Sequence, residues 1–272
     1  MKNFADLHQP DFIFLSEPQM FAHDLALAMR SLSPAYMASL NSADKYDPEL
    51  PFLKSRTKGG TLIMWKRSLD PFISVWPVST TSFLPILFHP PNSPLTIHIA
   101  VYLPTSGQES QFLEDLSNLL MVMDELQDAH PAAQFYLRGD FNASLSNTKR
   151  SDLLLHFCNE KNLLDVPMHH PTYHHFLGNG QSDSYLDKLL YPKAALYPEV
   201  LLDIHCKLSN PLINSHHDMI FSSWSLPHVE EEDWSENNVV APKIKNKRLK
   251  IIWSDDGVQE YQNLVEPHLS SL

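Results

Sequence analysis

Two cysteines in 272 residues, Cys158 and Cys206, are too few for a disulfide framework or a cysteine-rich zinc site. Isolated cysteines of this kind are small buried hydrophobes of a reducing compartment, so an intracellular protein is expected. No apolar run approaches the roughly 20 residues that a membrane span needs, and the N-terminus shows no basic-then-apolar leader pattern. The expectation is a soluble, non-secreted chain with no membrane partner. Positive charge is also scarce: 20 Lys and Arg stand against 32 Asp and Glu, a net charge of -12. That balance argues against a protein that coats nucleic acid, since phosphate contacts come from Lys and Arg. A metal-dependent nuclease stays open, because its active site must itself be acidic. There is no internal repeat.

With 43% hydrophobic side chains, the chain can bury one large core unaided. Up to about residue 226, short apolar segments alternate with amphipathic ones, the rhythm of an α/β domain. Residues 11–15 (DFIFL) predict a buried strand, followed by a helix over 19–30. Further strands are expected at 60–65, 72–78, 83–89 and 95–103. In the last of these, Ile97, Ile99 and Val101 share one face, and His98, Ala100 and Tyr102 the other. Phe112, Leu116, Leu119, Leu120, Met123 and Leu126 recur at helical spacing. Strands at 134–137, 185–190, 200–205 and 219–224 and a helix at 152–162 complete the pattern. Beyond residue 226 an acidic block (Glu230, Glu231, Glu232, Asp233) precedes a basic one (Lys243, Lys245, Lys247, Arg248, Lys250). The chain thus divides into a domain at 1–226 and a charged linker with a short helical tail at 227–272.

Several strand ends carry groups suited to phosphate chemistry. Arg138-Gly139-Asp140-Phe141-Asn142 leaves an apolar strand with a carboxylate and an amide one residue apart, able to activate a water and stabilise a developing oxyanion. The same residues also suit an ordinary turn. Glu17, just past DFIFL, could ligate a hard cation such as Mg2+, or simply be solvated before a helix. Asp187 follows Ser184-Tyr185-Leu186 in an apolar setting, where an ionised carboxylate needs a partner. His216 and His217 are the candidates, since a carboxylate-held imidazole can contact a phosphate oxygen. His169, His170, His174 and His175 raise a zinc alternative. Their spacing matches no closed tetrahedral pattern and no cysteine is near, so solvated loop histidines are expected.

Taken in order, Leu15-Ser16-Glu17-Pro18, Lys58-Gly59-Gly60, Val101-Tyr102-Leu103-Pro104, Arg138-Gly139-Asp140-Phe141-Asn142, Pro171-Thr172-Tyr173 leading to Ser184-x-x-Asp187, and Ser215-x-His217 resemble the successive motifs of the endonuclease/exonuclease/phosphatase superfamily. Within it the chain is most similar to the endonuclease domain of non-LTR (LINE-type) retrotransposons. The tail, with Ile252-Trp253-Ser254 after the basic block, resembles the linker toward a reverse transcriptase, although no reverse-transcriptase motif is present.

The resemblance implies a four-layer α/β/β/α sandwich of two mixed sheets, the DNase I-like fold, here without the family's first strand: Met1-Lys2-Asn3 reads as part of the following helix. It implies Mg2+-dependent phosphodiester hydrolysis (Mn2+ as the alternative metal), with DNA as partner, nuclear location when acting on it, and a reverse-transcriptase domain as a further partner in a full-length element. The alternatives are an inactive truncated remnant and a phosphodiesterase or phosphatase of the same fold with another substrate. By the same resemblance, Glu17 is the metal ligand, and Tyr102 orients the scissile phosphate. Asp140 positions or deprotonates the attacking water, Asn142 stabilises the pentavalent transition state, and Asp187 pairs with His217, which contacts a phosphate oxygen. Where the family carries an Asp beside that histidine, this chain has His216, a poor Mg2+ ligand. Asp218 is the other weak metal candidate, expected on the opposite face if the segment is a strand.

Overall fold

Alternation of side chains along extended segments builds the core. The computed structural model describes residues 8–32, 34–42, 59–143, 148–166, 170–177, 180–193, 202–206 and 217–223. Strands β1 (Phe12–Ser16), β2 (Tyr36–Asn41) and β3 (Thr61–Lys66) form a three-stranded antiparallel sheet in the order β1-β3-β2. A second sheet has six strands, in the order β4 (Ile73–Val75), β5 (Phe83–Phe88), β6 (Thr96–Tyr102), β7 (Gln134–Asp140), β11 (Asp187–Pro192) and β8 (Leu163–Asp165). Its β6 and β7 run parallel and the other neighbours antiparallel. A hairpin of β9 (Tyr173–Leu177) and β10 (Gly180–Ser184), and the pair β12 (Leu202–Cys206) and β13 (Met219–Ser223), complete the strands.

The two sheets meet face to face. Phe12 and Phe14 of β1 and Ile63 and Trp65 of β3 pack on Leu84, Ile86 and Ala100. On the far side of the smaller sheet, Ile13, Leu15, Leu62 and Met64 meet Leu25 and Met29 of helix α1 (Asp24–Leu32). On the far side of the larger sheet, Phe83, Ile97, Ile99, Val101 and Leu137 are covered by Phe112, Leu116, Leu119 and Met123 of α2 (Glu109–Ala129) and Leu154 and Phe157 of α3 (Lys149–Glu160). This gives four layers, α/β/β/α. The smaller sheet is wholly antiparallel over its described strands, where a mixed sheet was expected.

A polar pair lies between the sheets. The Arg138 guanidinium donates to Nδ1 of the fully buried His98 at 2.9 Å and stands 4.9 Å from the centre of the Phe14 ring. Burial, then the charge of Arg138, holds the His98 pKa well below 6.5. The ring is therefore neutral, and its Nε2–H faces Thr96 Oγ1 at 2.9 Å.

Several elements depart from the sequence reading. Helix α1 begins at Asp24 rather than near residue 19, because Glu17 (φ 49°) and Gln19 (φ 53°) flank Pro18 in left-handed conformation. The Asp24 carboxylate then accepts the Phe21 N–H at 3.0 Å. Strand β4 is only Ile73–Val75, as Pro77 has no N–H to continue the ladder. Helix α3 starts earlier than expected, at Lys149, where Thr148 and Ser151 form a capping box. The sequence reading missed β2, β8 and the β9–β10 hairpin. Residues 1–7, and the whole charged linker and tail at 227–272, lie outside the described residues. No described helix is long and apolar enough to cross a membrane.

One glycine is fixed by contact between strands. Gly139 adopts φ 140°, and a Cβ there would lie 2.0 Å from the Val101 carbonyl oxygen. Gly139→Ala should destabilise the fold by on the order of 3 kcal/mol, read as a lower urea midpoint with an unchanged slope.

Candidate active site

Strand register brings the candidate groups together. Parallel pairing sets Tyr102 against Asp140, and antiparallel pairing sets Asp187 against Asp140. Three polar side chains thus stand side by side at one rim of the larger sheet. Glu17 arrives from the smaller sheet, one residue beyond β1. Its N–H donates to the Gly60 carbonyl at 3.0 Å, and its carboxylate accepts the Gly59 N–H at 3.4 Å and the Tyr102 hydroxyl. Ser16 joins the sheets at this point: its hydroxyl donates to the Val101 carbonyl at 2.8 Å and accepts the Asp140 N–H at 3.1 Å.

Asp140 is held by its own loop. One carboxylate oxygen accepts the Asn142 N–H at 2.8 Å, the other the Asn142 side-chain amide at 3.0 Å. That amide also donates to the Leu103 carbonyl at 2.8 Å, and Asn142 takes a left-handed φ of 47°, which Asn tolerates. Arg150, 7% exposed, fixes the loop from below. It donates to the carbonyls of Pro104, Thr105 and Asn142, pairs with Glu109 at 2.7 Å and lies over the Phe112 ring.

On the other flank, Asp187 accepts His217 Nδ1 at 2.8 Å, while His217 Nε2 stands 3.8 Å from Asp140 Oδ2. The Asp187 N–H donates to the hydroxyl of the buried Thr172 at 3.1 Å. His217 bridges Tyr173 through the backbone and packs its ring on the Tyr173 ring at 4.8 Å.

The electrostatics follow from this crowding. Burial first, then the charge of Asp187, push the Asp140 pKa up to about 7, against the opposing effects of His217 and the Asn142 N–H. Burial alone would lower the His217 pKa, but the hydrogen bond and charge of Asp187, with Asp140 and Glu17, hold it above 6.5. Burial, followed by the charge and hydrogen bond of Glu17, raises the Tyr102 phenol.

The structure therefore gathers Glu17, Tyr102, Asp140, Asn142, Asp187 and His217 at one rim. His216 lies outside the described residues. Asp218 serves neither His217 nor Glu17 but bonds His174 Nε2 at 3.1 Å. His174, expected as a solvated loop residue, is only 12% exposed at its side chain and also bonds Asp183 at 2.8 Å. The three Asn142 donor contacts go to Asp140 and Leu103, so it is placed to fix Asp140 rather than to face a substrate. Sequence reading missed Ser16, Thr172, Arg150 and His174. A hydroxyl directly before Glu17 and another two residues before His174 were faint signals for two of them; nothing local marked Arg150.

A hard divalent cation suits this donor chemistry. Carboxylates of Glu17, Asp140 and Asp187 lie around one imidazole, and after burial their repulsion adds to the raised pKa of Asp140. Among the described residues no three His, Cys, Asp or Glu could enclose a metal. The set fits an ion such as Mg2+, which keeps most of its ligands as water and phosphate oxygens.

Comparison with protein-family models and with curated proteins by sequence finds no match. Solved structures do match in fold. The endonuclease domain of TRAS1, a telomere-specific non-LTR retrotransposon, superposes with a TM-score of 0.61 at 14% identity, over 82% of this chain and 89% of that one. An endonuclease/exonuclease/phosphatase family protein from Leptotrichia buccalis gives 0.56 at 14%, over 82% and 90%. TDP2 of D. rerio, complexed with a single-strand DNA product, gives 0.53 at 15%, over 82% and 89%. The chain has the endonuclease/exonuclease/phosphatase, or DNase I-like, fold.

Asp140 gives a stability signature without metal. Its raised pKa means that the folded chain binds more protons than the unfolded one between about pH 4 and 7, so stability falls as pH rises through that window. Asp140→Asn should therefore melt a few degrees, about 5 °C, above the parent at pH 8 in EDTA. The gap should narrow steadily toward pH 5, and a pH-independent gap would rule out the buried charge as its source.

Proposed function

We propose that the chain is a Mg2+-dependent phosphodiesterase, with Mn2+ able to substitute, that nicks DNA in the manner of a non-LTR retrotransposon endonuclease. The observation that carries this reading is the meeting of a near-neutral buried carboxylate, Asp140, with the Asp187-held His217 at 3.8 Å. Both groups have raised pKa values and adjoin one accessible rim, which suits acid–base chemistry on a phosphodiester.

In this reading Asp140 accepts a proton from the water that attacks phosphorus. Asn142 and the Ser16 hydroxyl keep its carboxylate and backbone fixed while the proton moves. His217, with Nδ1–H given to Asp187, directs Nε2–H at a non-bridging phosphate oxygen, where negative charge grows as the new bond forms. The bond from phosphorus to the leaving oxygen breaks, and solvent protonates that oxygen. Tyr102, anchored through Glu17, sits beside Asp140 to orient the phosphate. Glu17 would hold the ion, and Mg2+ supplies charge neutralisation as the P–O bond breaks. DNA as the substrate class is supported by the likeness to the TRAS1 endonuclease and to TDP2 with its single-strand product.

Purified protein with supercoiled plasmid and Mg2+ should yield nicked circles, and EDTA should stop the reaction. Asp140→Asn, His217→Ala and Glu17→Ala should each slow nicking on the order of a hundredfold or more while remaining folded. A folded parent that leaves plasmid intact with either metal, or variants that nick at the parent rate, would sink the proposal.

A further inference from the structure

Outside the candidate site, a cluster of charge joins the β9–β10 hairpin to Asp218. His174 stands between two carboxylates, with Nδ1 at 2.8 Å from Asp183 on the paired strand and Nε2 at 3.1 Å from Asp218. Acceptors at both ring nitrogens are satisfied together when both carry protons, which makes the ring a cation. The carboxylates bond opposite sides of the imidazole and so do not converge on a shared metal ion. The side chains of His174 and Asp218 are each only 12% exposed, and an ion pair so enclosed is costly to break by removing one partner.

The position of this clasp gives it meaning. Asp218 directly follows His217, and its N–H donates to the Thr172 carbonyl at 2.7 Å. His217 bridges Tyr173 and packs against its ring at a tilt of 57°. Residues 172–174 are therefore tied to 217–218 by a backbone bridge, to which the Asp218 N–H bond belongs, and by an ionic clasp. Thr172 in turn bonds the Asp187 N–H, so the same short segment sets both members of the Asp187–His217 pair.

We propose that His174 is a positioning residue for His217. It reaches no reacting atom; by gripping Asp218 it fixes the backbone of His217, and so the 2.8 Å bond to Asp187 and the reach of Nε2 toward Asp140. This inference rests on reading His217 as the phosphate-facing group, but its first test needs no turnover. In the metal-free full chain, the proton of His217 Nδ1, shared with Asp187, should give a downfield proton resonance, assigned by its loss in His217→Ala. The resonance should broaden or vanish in His174→Ala and in Asp218→Ala, and persist in Asp218→Asn, which keeps an acceptor for His174. Asp218→Ala leaves the His174–Asp183 pair within the hairpin, and carries the test if His174→Ala does not fold. For nicking, kcat should fall about tenfold in both alanine variants with KM within about twofold, as expected for a misplaced catalytic group. The double variant should be no worse than either single one, because the pair acts as a unit. An unchanged His217 resonance in a folded alanine variant would overturn the proposal. A lost resonance in a chain whose parent never nicks would uphold the positioning and refute the nuclease reading instead.

Discussion

A carboxylate at 4% residue exposure must be given hydrogen bonds or give up its charge, and Asp140 is in that position at the end of β7. Its surroundings answer the constraint only in part. Asn142 supplies two donors and His217 a nearby cation, yet Asp187 and Glu17 add repulsion, and the balance leaves the group near pH 7. A carboxyl poised there can give or take a proton under ordinary conditions. The left-handed turn at Asn142 and the crowded glycine at 139 follow from the same placement: the chain must leave the strand sharply while its backbone lies against Val101.

The rim also depends on joining two sheets. Apolar packing among Phe12, Phe14, Trp65, Ile86 and Ala100 holds them face to face but carries little directional information. Direction comes from Ser16, bonded at once to the Val101 carbonyl and the Asp140 N–H, which sets Glu17 opposite Tyr102. Arg150 does the corresponding work on the loops, binding three carbonyls that lack strand partners and holding them against α2.

The sequence was legible where one residue type implies one environment. Ile97, Ile99 and Val101 opposite His98, Ala100 and Tyr102 marked β6 and its two faces, and helix α2 showed its buried stripe. Strand β2 was not legible, because Tyr36-Met37-Ala38-Ser39-Leu40-Asn41 puts polar and apolar side chains on one face; Asn41 is fully buried with its amide donating to Phe83. The hairpin was hidden for a related reason, as His174 satisfies its charge with Asp183 and Asp218, nine and 44 positions away. The six candidate site residues could be named because they stand in short motifs at strand ends. Their supports could not, since Arg150 meets Pro104 across 46 positions through a backbone carbonyl, which any sequence supplies.

The cations near the rim sharpen the argument about substrate. Arg138 is sealed between the sheets against His98, Arg150 is committed to Glu109 and to backbone carbonyls, and Lys188, 1% exposed, pairs with Asp165 at 3.2 Å. Each is held away from a ligand by burial or by bonds that would have to break. Of the described positive groups, His217 alone is shown beside the three carboxylates. A phosphodiester approaching this rim would meet net repulsion, in a chain already carrying -12. Binding an anion here therefore calls for positive charge beyond that of the described residues, and Glu17, whose carboxylate accepts the neutral Gly59 N–H, is where the proposed reading places it.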